Sequence, residues 1–156
     1  MSVNKKSSDK DISLDAEAIK KLIPHRSPFL FIDKLVNIIP LETATGIKKF
    51  SKEDYFFKGH FPEHPVVPGV VIIEALAQTA AALIAFSMRE ETNNKLVYLM
   101  SMNNCKFRKP VFPENVLELH VNATRSRGKV WKFTGVAKSN NSEVAEAAWA
   151  ATIVDR

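Results

Sequence analysis

Gly59-His60-Phe61-Pro62-Glu63-His64-Pro65-Val66-Val67-Pro68-Gly69-Val70-Val71-Ile72-Ile73-Glu74-Ala75-Leu76-Ala77-Gln78 is the stretch on which the reading of this 156-residue chain turns. A histidine leads into a segment stiffened by three prolines, and Pro68-Gly69 opens an apolar run that reads as a helix to about Met88. Proline suits the first helical turn, where its missing N–H costs nothing. Gly69 leaves its backbone N–H unshielded at a helix N-terminus, a place that suits an anion or a developing oxyanion. Glu74 lies among Val, Ile, Leu and Ala. A carboxylate in such a helix loses water on packing, which is costly unless the group is paired, neutralised or useful. Glu74 and Gln78 are four apart and share a helix face. With His60 just upstream, one stretch of chain supplies two titratable groups of different type, a candidate proton-transfer pair. The bland alternative is a structural histidine near prolines and a glutamate that points to water.

The two side chains do not meet easily within one chain. Pro62 and Pro65 bias Phe61 to Val67 toward extended backbone. Seven extended residues cover up to about 23 Å, and Glu74 lies roughly 7 to 9 Å further along the helix. If the segment stays extended, a symmetry-related chain would complete the pair, whereas a folded-back loop would remove that reason.

Twenty residues of helix would also cross a bilayer. Glu74 and Gln78 inside it, its alanines, and the lack of a second such segment favour the buried helix of a globular core instead. Around it, Asp15 to Ile23 reads as a short amphipathic helix stopped by Pro24. Phe29 to Ile39 and Thr43 to Phe50 read as strands of a hairpin. Lys95 to Met102, Lys106 to Val111, Val116 to Thr124 and Val130 to Lys138 read as extended, with turns at Arg127-Gly128-Lys129 and Asn140-Asn141. Alanine in Glu143 to Val154 favours helix, but the tight Asn-Asn turn before it favours a strand, which is the reading adopted. The sum is α+β: about six antiparallel strands packed on one long helix.

Composition narrows the function. A hydrophobic fraction of 46% and a charged fraction of 25% describe one ordinary globular domain, here expected over residues 14–156 with a disordered polar tail at 1–13. The single Cys105 excludes an internal disulfide and a cysteine-rich zinc site, and fits a reducing, cytoplasmic setting. The tail has neither the apolar stretch of a secretory signal nor the arginines of a transit peptide. A net charge of +5 suits an acidic partner but lacks the basic runs of a nucleic-acid binder. His25, near a helix end, reads as a cap or surface residue, His64 as a weaker base and His120 as a strand-face residue. No spacing matches a metal site.

The pattern Gly59-His60-Phe61-Pro62-x-x-Pro65-Val66-x-Pro68-Gly69-Val70, followed by Glu74-Ala75-x-Ala77-Gln78, closely resembles the signature of the FabZ-type (3R)-hydroxyacyl-acyl-carrier-protein dehydratases. Leu22-Ile23-Pro24-His25-Arg26-Ser27-Pro28-Phe29-Leu30 and Lys106-Phe107-Arg108-Lys109-Pro110-Val111 resemble two further motifs of the family, in the right order. The resemblance implies a hot-dog fold, a long helix wrapped by a curved antiparallel sheet. It implies a homodimer, commonly a trimer of dimers, with sites at the dimer interface. His60 takes the position of the catalytic base, Glu74 that of the catalytic acid supplied by the partner subunit, and Gly69 that of the N–H donor facing the thioester carbonyl. No metal or redox cofactor is implied. Arg108, Lys109, Arg125, Arg127 and Lys129 are candidates for docking an acidic acyl carrier protein, and Phe56, Phe57, Phe61 and the helix alanines for walls of an acyl tunnel. Pro113-Glu114-Asn115 stands where the family commonly has Pro-Gly-Asp, and Ser27 where it has an aromatic. Rivals are the sister dehydratase that also isomerises, which carries aspartate in place of Glu74, a hot-dog thioesterase, and a non-catalytic acyl-binding protein.

Overall fold

The structure is a computed structural model that describes residues 12–88 and 95–155. The expected tail therefore lies outside the described residues, apart from residues 12 and 13. Helix α1 spans Ala16–Lys20 and helix α2 spans Gly69–Met88. The strands are β1 (Lys34–Ile39), β2 (Thr43–Lys49), β3 (Lys95–Phe107), β4 (Val116–Arg127), β5 (Val130–Ser139) and β6 (Ser142–Asp155). They form one sheet in the order β1-β2-β4-β5-β6-β3, antiparallel throughout. The sheet curves around α2 in the hot-dog arrangement. The alanine-rich last segment is the strand β6, as its entry turn indicates: Asn140 and Asn141 both take positive φ, the twist of a two-residue hairpin.

Helix α2 buries residues on all sides, from Val71 and Ile72 to Phe86. It is long and apolar enough to cross a membrane, yet 78% of its apolar window is buried inside this fold. Small side chains let the sheet come close. The tightest approach is at Gly46 of β2, where an added Cβ would collide with Thr79 Oγ1. Thr79 cannot easily turn away, because it is fully buried and its hydroxyl donates to the Ala75 carbonyl at 2.8 Å.

Three expected boundaries shift, each for a local reason. The strand expected from Phe29 begins only at Lys34. Upstream of it, Phe29 and Phe31 bond to the Gln78 side chain rather than to a neighbouring strand. The helix expected over Asp15 to Ile23 ends at Lys20 although Asp15 caps it, its carboxylate accepting from Ala18 N–H at 2.9 Å. The two extended pieces after α2 are one strand, β3, interrupted by bulges at Leu99/Ser101 and Asn103/Lys106. The turn at Pro113-Glu114-Asn115 keeps a left-handed residue, with Glu114 at φ 71°. Glu114 is held by bonds from its N–H to Phe50 O (2.7 Å) and from Lys52 N–H to its carboxylate (2.9 Å).

The Gly46–Thr79 contact predicts that Gly46→Ala destabilises the fold by about 1–3 kcal/mol through overpacking. Adding Thr79→Ala to Gly46→Ala should recover part of the loss. Chemical denaturation of the two variants measures it.

Candidate active site

His60 ends the 3-10 turn over Tyr55–Lys58, its N–H bonded to Phe56 O at 2.9 Å. The proline segment after it does not stay extended, contrary to the bias of its prolines. Phe61 and His64 exchange backbone bonds (3.2 and 3.0 Å), and Val66 N–H returns to His60 O at 3.0 Å. The loop closes because its own backbone groups pair internally, and Val67 N–H then ties it to Val111 O at 2.7 Å. One more bond sets the chemistry: His60 Nδ1 lies 2.9 Å from Val66 O. A carbonyl only accepts, so Nδ1 carries the proton, and in the neutral ring Nε2 is left as the basic nitrogen.

His60 shares a cavity of about 630 Å³ with Gly69, Val70, Phe107, Arg108 and Lys109. The first bonds of α2 come from Val71 and Ile72 N–H to Pro68 O, so the N–H groups of Gly69 and Val70 precede the helical ladder. Gly69 has no room for a side chain, since an added Cβ would stand 2.6 Å from the Phe107 ring. The base and the helix-terminal N–H groups are thus brought together by one chain.

Glu74 is elsewhere. It lines a second, narrow cavity of about 60 Å³ with His25, Gln78, Leu99, Phe133 and Trp149. Gln78, 1% exposed, donates to Glu74 Oε1 at 2.9 Å and to Phe29 O at 3.0 Å, while its own oxygen accepts from Phe31 N–H at 2.8 Å. His25 Nε2 faces the same Glu74 oxygen at 3.7 Å. Burial holds the His25 imidazole below its ordinary pKa, with Glu74 pulling upward and Arg26 downward. Its place near a helix end suggests a cap or surface role for His25. In the structure it joins Glu74, because the loop it sits in is folded over α2 by Gln78, and no local signal in the sequence carries that contact.

The remaining expectations divide. His64 packs on Phe112, and His120 Nδ1 pairs with Thr45 Oγ1 at 3.1 Å across β4 and β2. Phe56 and Phe57 join an aromatic cluster with Phe50 and Tyr55, whereas Phe61 is exposed and stacked on His60. Of the helix alanines, Ala77 and Ala81 line the Glu74 cavity. Among the described residues no cluster of three His, Cys, Asp or Glu is placed to hold a metal ion.

The five basic residues do not form one patch within a chain. Arg108 N–H bonds to Val144 O, and Lys129 O accepts from Ile153 N–H. Val144 and Ile153 are nine residues apart on β6, about 30 Å of strand. Arg108 and Lys109 therefore flank the His60 cavity, while Arg125, Arg127 and Lys129 lie at the far end of the sheet.

Residues 23–148 match the FabA-like domain family. The chain is 51% identical over 142 residues to the 3-hydroxyacyl-acyl-carrier-protein dehydratase FabZ of Paramagnetospirillum magneticum, covering 91% of this chain and 88% of that protein. It is 50% identical over 143 residues to the protein of the same name from Rhodospirillum rubrum, covering 92% and 89%. Among solved structures it resembles the dehydratase heterocomplex ApeI:P from Xenorhabdus doucetiae, with a TM-score of 0.74 at 14% identity over 88% of this chain and 91% of that one. At that identity the likeness speaks for the fold alone. Two layers of similarity, a family match over most of the chain and relatives near 50% identity, agree with the order of the sequence motifs: the chain belongs to the FabA-like family, among its FabZ-type 3-hydroxyacyl-acyl-carrier-protein dehydratases.

Proposed function

We propose that this protein dehydrates (3R)-3-hydroxyacyl thioesters carried on acyl carrier protein to trans-2-enoyl thioesters, a step of fatty acid biosynthesis in the cytoplasm. The observation that carries the reading is the His60 tautomer: an imidazole whose Nδ1–H is committed to Val66 O presents a free Nε2 in the cavity where α2 begins. Nε2 takes the proton from the α-carbon of the substrate. The Gly69 N–H faces the thioester carbonyl and stabilises the charge that builds on its oxygen, an effect worth about 3 kcal/mol per donor. The electron pair released at the α-carbon forms the double bond as the C3–oxygen bond breaks. Glu74 gives its proton to the departing hydroxyl, which leaves as water. A glutamate here, rather than an aspartate, favours dehydration without isomerisation.

This chemistry needs Glu74 beside His60, yet within one chain they line different cavities. Strand β3 supplies the connection. It is an edge strand, and its run from Tyr98 to Phe107 is largely exposed, including Tyr98, Leu99, Met100 and Phe107. A long apolar edge invites pairing with another strand. Two copies of β3, paired antiparallel about the middle of that run, would set Leu99 of one chain opposite residues 106–107 of the other. Leu99 lines the Glu74 cavity and Phe107 the His60 cavity. The same two-fold pairing brings the Arg125, Arg127 and Lys129 end of one sheet toward Arg108 and Lys109 of the other, so a basic surface for an acidic carrier protein would span both chains. A homodimer is the minimum assembly, and a trimer of dimers would repeat it.

Turnover of a 3-hydroxyacyl carrier-protein substrate, followed by enoyl-thioester absorbance, tests the activity. His60→Ala and Glu74→Gln should each lower kcat by about 10²–10⁴-fold. Released free acid without an enoyl product would point to a thioesterase, and full turnover by His60→Ala to an acyl-binding protein. Co-refolding the two inactive variants should restore activity, because each mixed dimer regains one site with both wild-type groups. Failure to restore it would place both groups on one chain.

Introducing a charge at the β3 edge, as in Met100→Lys, should yield an inactive monomer with an unchanged circular dichroism spectrum. Sedimentation with parallel assays checks this, and a fully active monomer would exclude the shared site.

A further inference from the structure

Beside Glu74 stands a titratable group that the dehydration chemistry above does not use. His25 follows Pro24 in the loop after α1 and lines the Glu74 cavity. Its Nε2 faces Glu74 Oε1 at 3.7 Å. The other ring nitrogen, Nδ1, is buried and has no hydrogen-bond partner among the described residues. Orphaned buried nitrogens are rare and destabilising, so the ring gains nothing polar on that side, and its one polar contact is the carboxyl group. Its backbone is held from outside: the Arg26 guanidinium donates to the carbonyls of Lys20, Ile23 and His25.

The charged groups that bear on His25 are Glu74 from α2 and Arg26 from its own loop. The walls given by β3, β5 and β6, among them Leu99, Phe133 and Trp149, are apolar. In that setting burial favours the neutral imidazole, against the pull of Glu74. A neutral imidazole with its proton on Nε2 can donate to Oε1 both when Glu74 is ionised and when its proton sits on Oε2. An ammonium or guanidinium in its place would favour the anion alone. Gln78 approaches the same oxygen, and among the described residues Glu74 Oε2 takes no hydrogen bond.

We propose that His25 is a positioning residue for Glu74: together with Gln78 it holds Oε1, in either protonation state of the carboxyl group, and leaves Oε2 to the substrate. The 3.7 Å separation is long for a hydrogen bond, and a small side-chain shift would bring it within range. The proposal rests on the reading of Glu74 as the general acid.

Two measurements on the full-length protein test it. The first needs no turnover. Imidazole NMR titration of wild type and Glu74→Gln should show the His25 midpoint falling in the variant, since the carboxylate that raises it is gone. An unchanged midpoint overturns the contact. The second compares His25→Leu with His25→Gln on a 3-hydroxyacyl carrier-protein substrate. His25→Leu should lower kcat on the order of tenfold with KM little changed, as expected for loss of one hydrogen bond to a charged group. His25→Gln, which can bring an amide nitrogen to the place of Nε2, should recover most of the rate. Equal loss in both folded variants, or loss in neither, overturns the positioning role. If the wild type forms no enoyl product while the NMR coupling is present, the reading of the reaction falls and the contact stands.

Discussion

One buried carboxamide holds the site side of this molecule together. Gln78 sits in the middle of the core helix, where an unpaired amide would be costly. All three of its hydrogen bonds are made inside the protein: two to the backbone of the loop before β1, and one to Glu74. The bonds to Phe29 and Phe31 fold that loop over the helix. The bond to Glu74 orients a carboxyl group that would otherwise stand alone among apolar side chains. His25 is carried into contact with Glu74 by the same loop. A polar stripe on an apolar helix thus acts as a clamp between two distant parts of the chain.

The second constraint is the close approach of helix and sheet. Gly46 and Gly69 are both places where a methyl group would strike a neighbour, Thr79 in one case and Phe107 in the other. At Gly69 this matters for chemistry as well as packing. Phe107 closes over the first turn of α2 and gives the exposed N–H groups an apolar wall. Donors in such surroundings act on a developing charge more strongly than donors in water.

The third is the edge of the sheet. Strand β3 ends a ladder of six, bulges where it pairs with β6, and carries exposed apolar residues. The same strand contributes Leu99 to one cavity and Phe107 to the other. An edge that is costly to leave open and two cavities lined from the same strand are two aspects of one feature. Pairing of β3 with a second β3 would answer both.

Much of this was legible in the residues. The boundaries of α2 follow from Pro68-Gly69 and a nearly continuous apolar run. Strand β6 follows from the Asn-Asn turn before it, against the helical preference of its alanines, because pairing with β5 and β3 outweighs local propensity. The identities of His60, Gly69, Glu74 and Gln78 stand out for the same reason, since polar or unshielded groups beside an apolar helix need an explanation. What the linear order could not supply is which groups meet. Pro62 and Pro65 bias their segment toward extended backbone, and it folds back because backbone groups six residues apart pair with each other and with the His60 ring. His25 reads as a cap or surface residue, and it faces Glu74 because a glutamine 53 positions later holds its loop. Arg108 and Arg127 read as one patch, and the sheet sets them at opposite ends. Composition and spacing reveal the cost a side chain carries when buried, whereas only the packed chain decides which partner, near or far in sequence, offsets it.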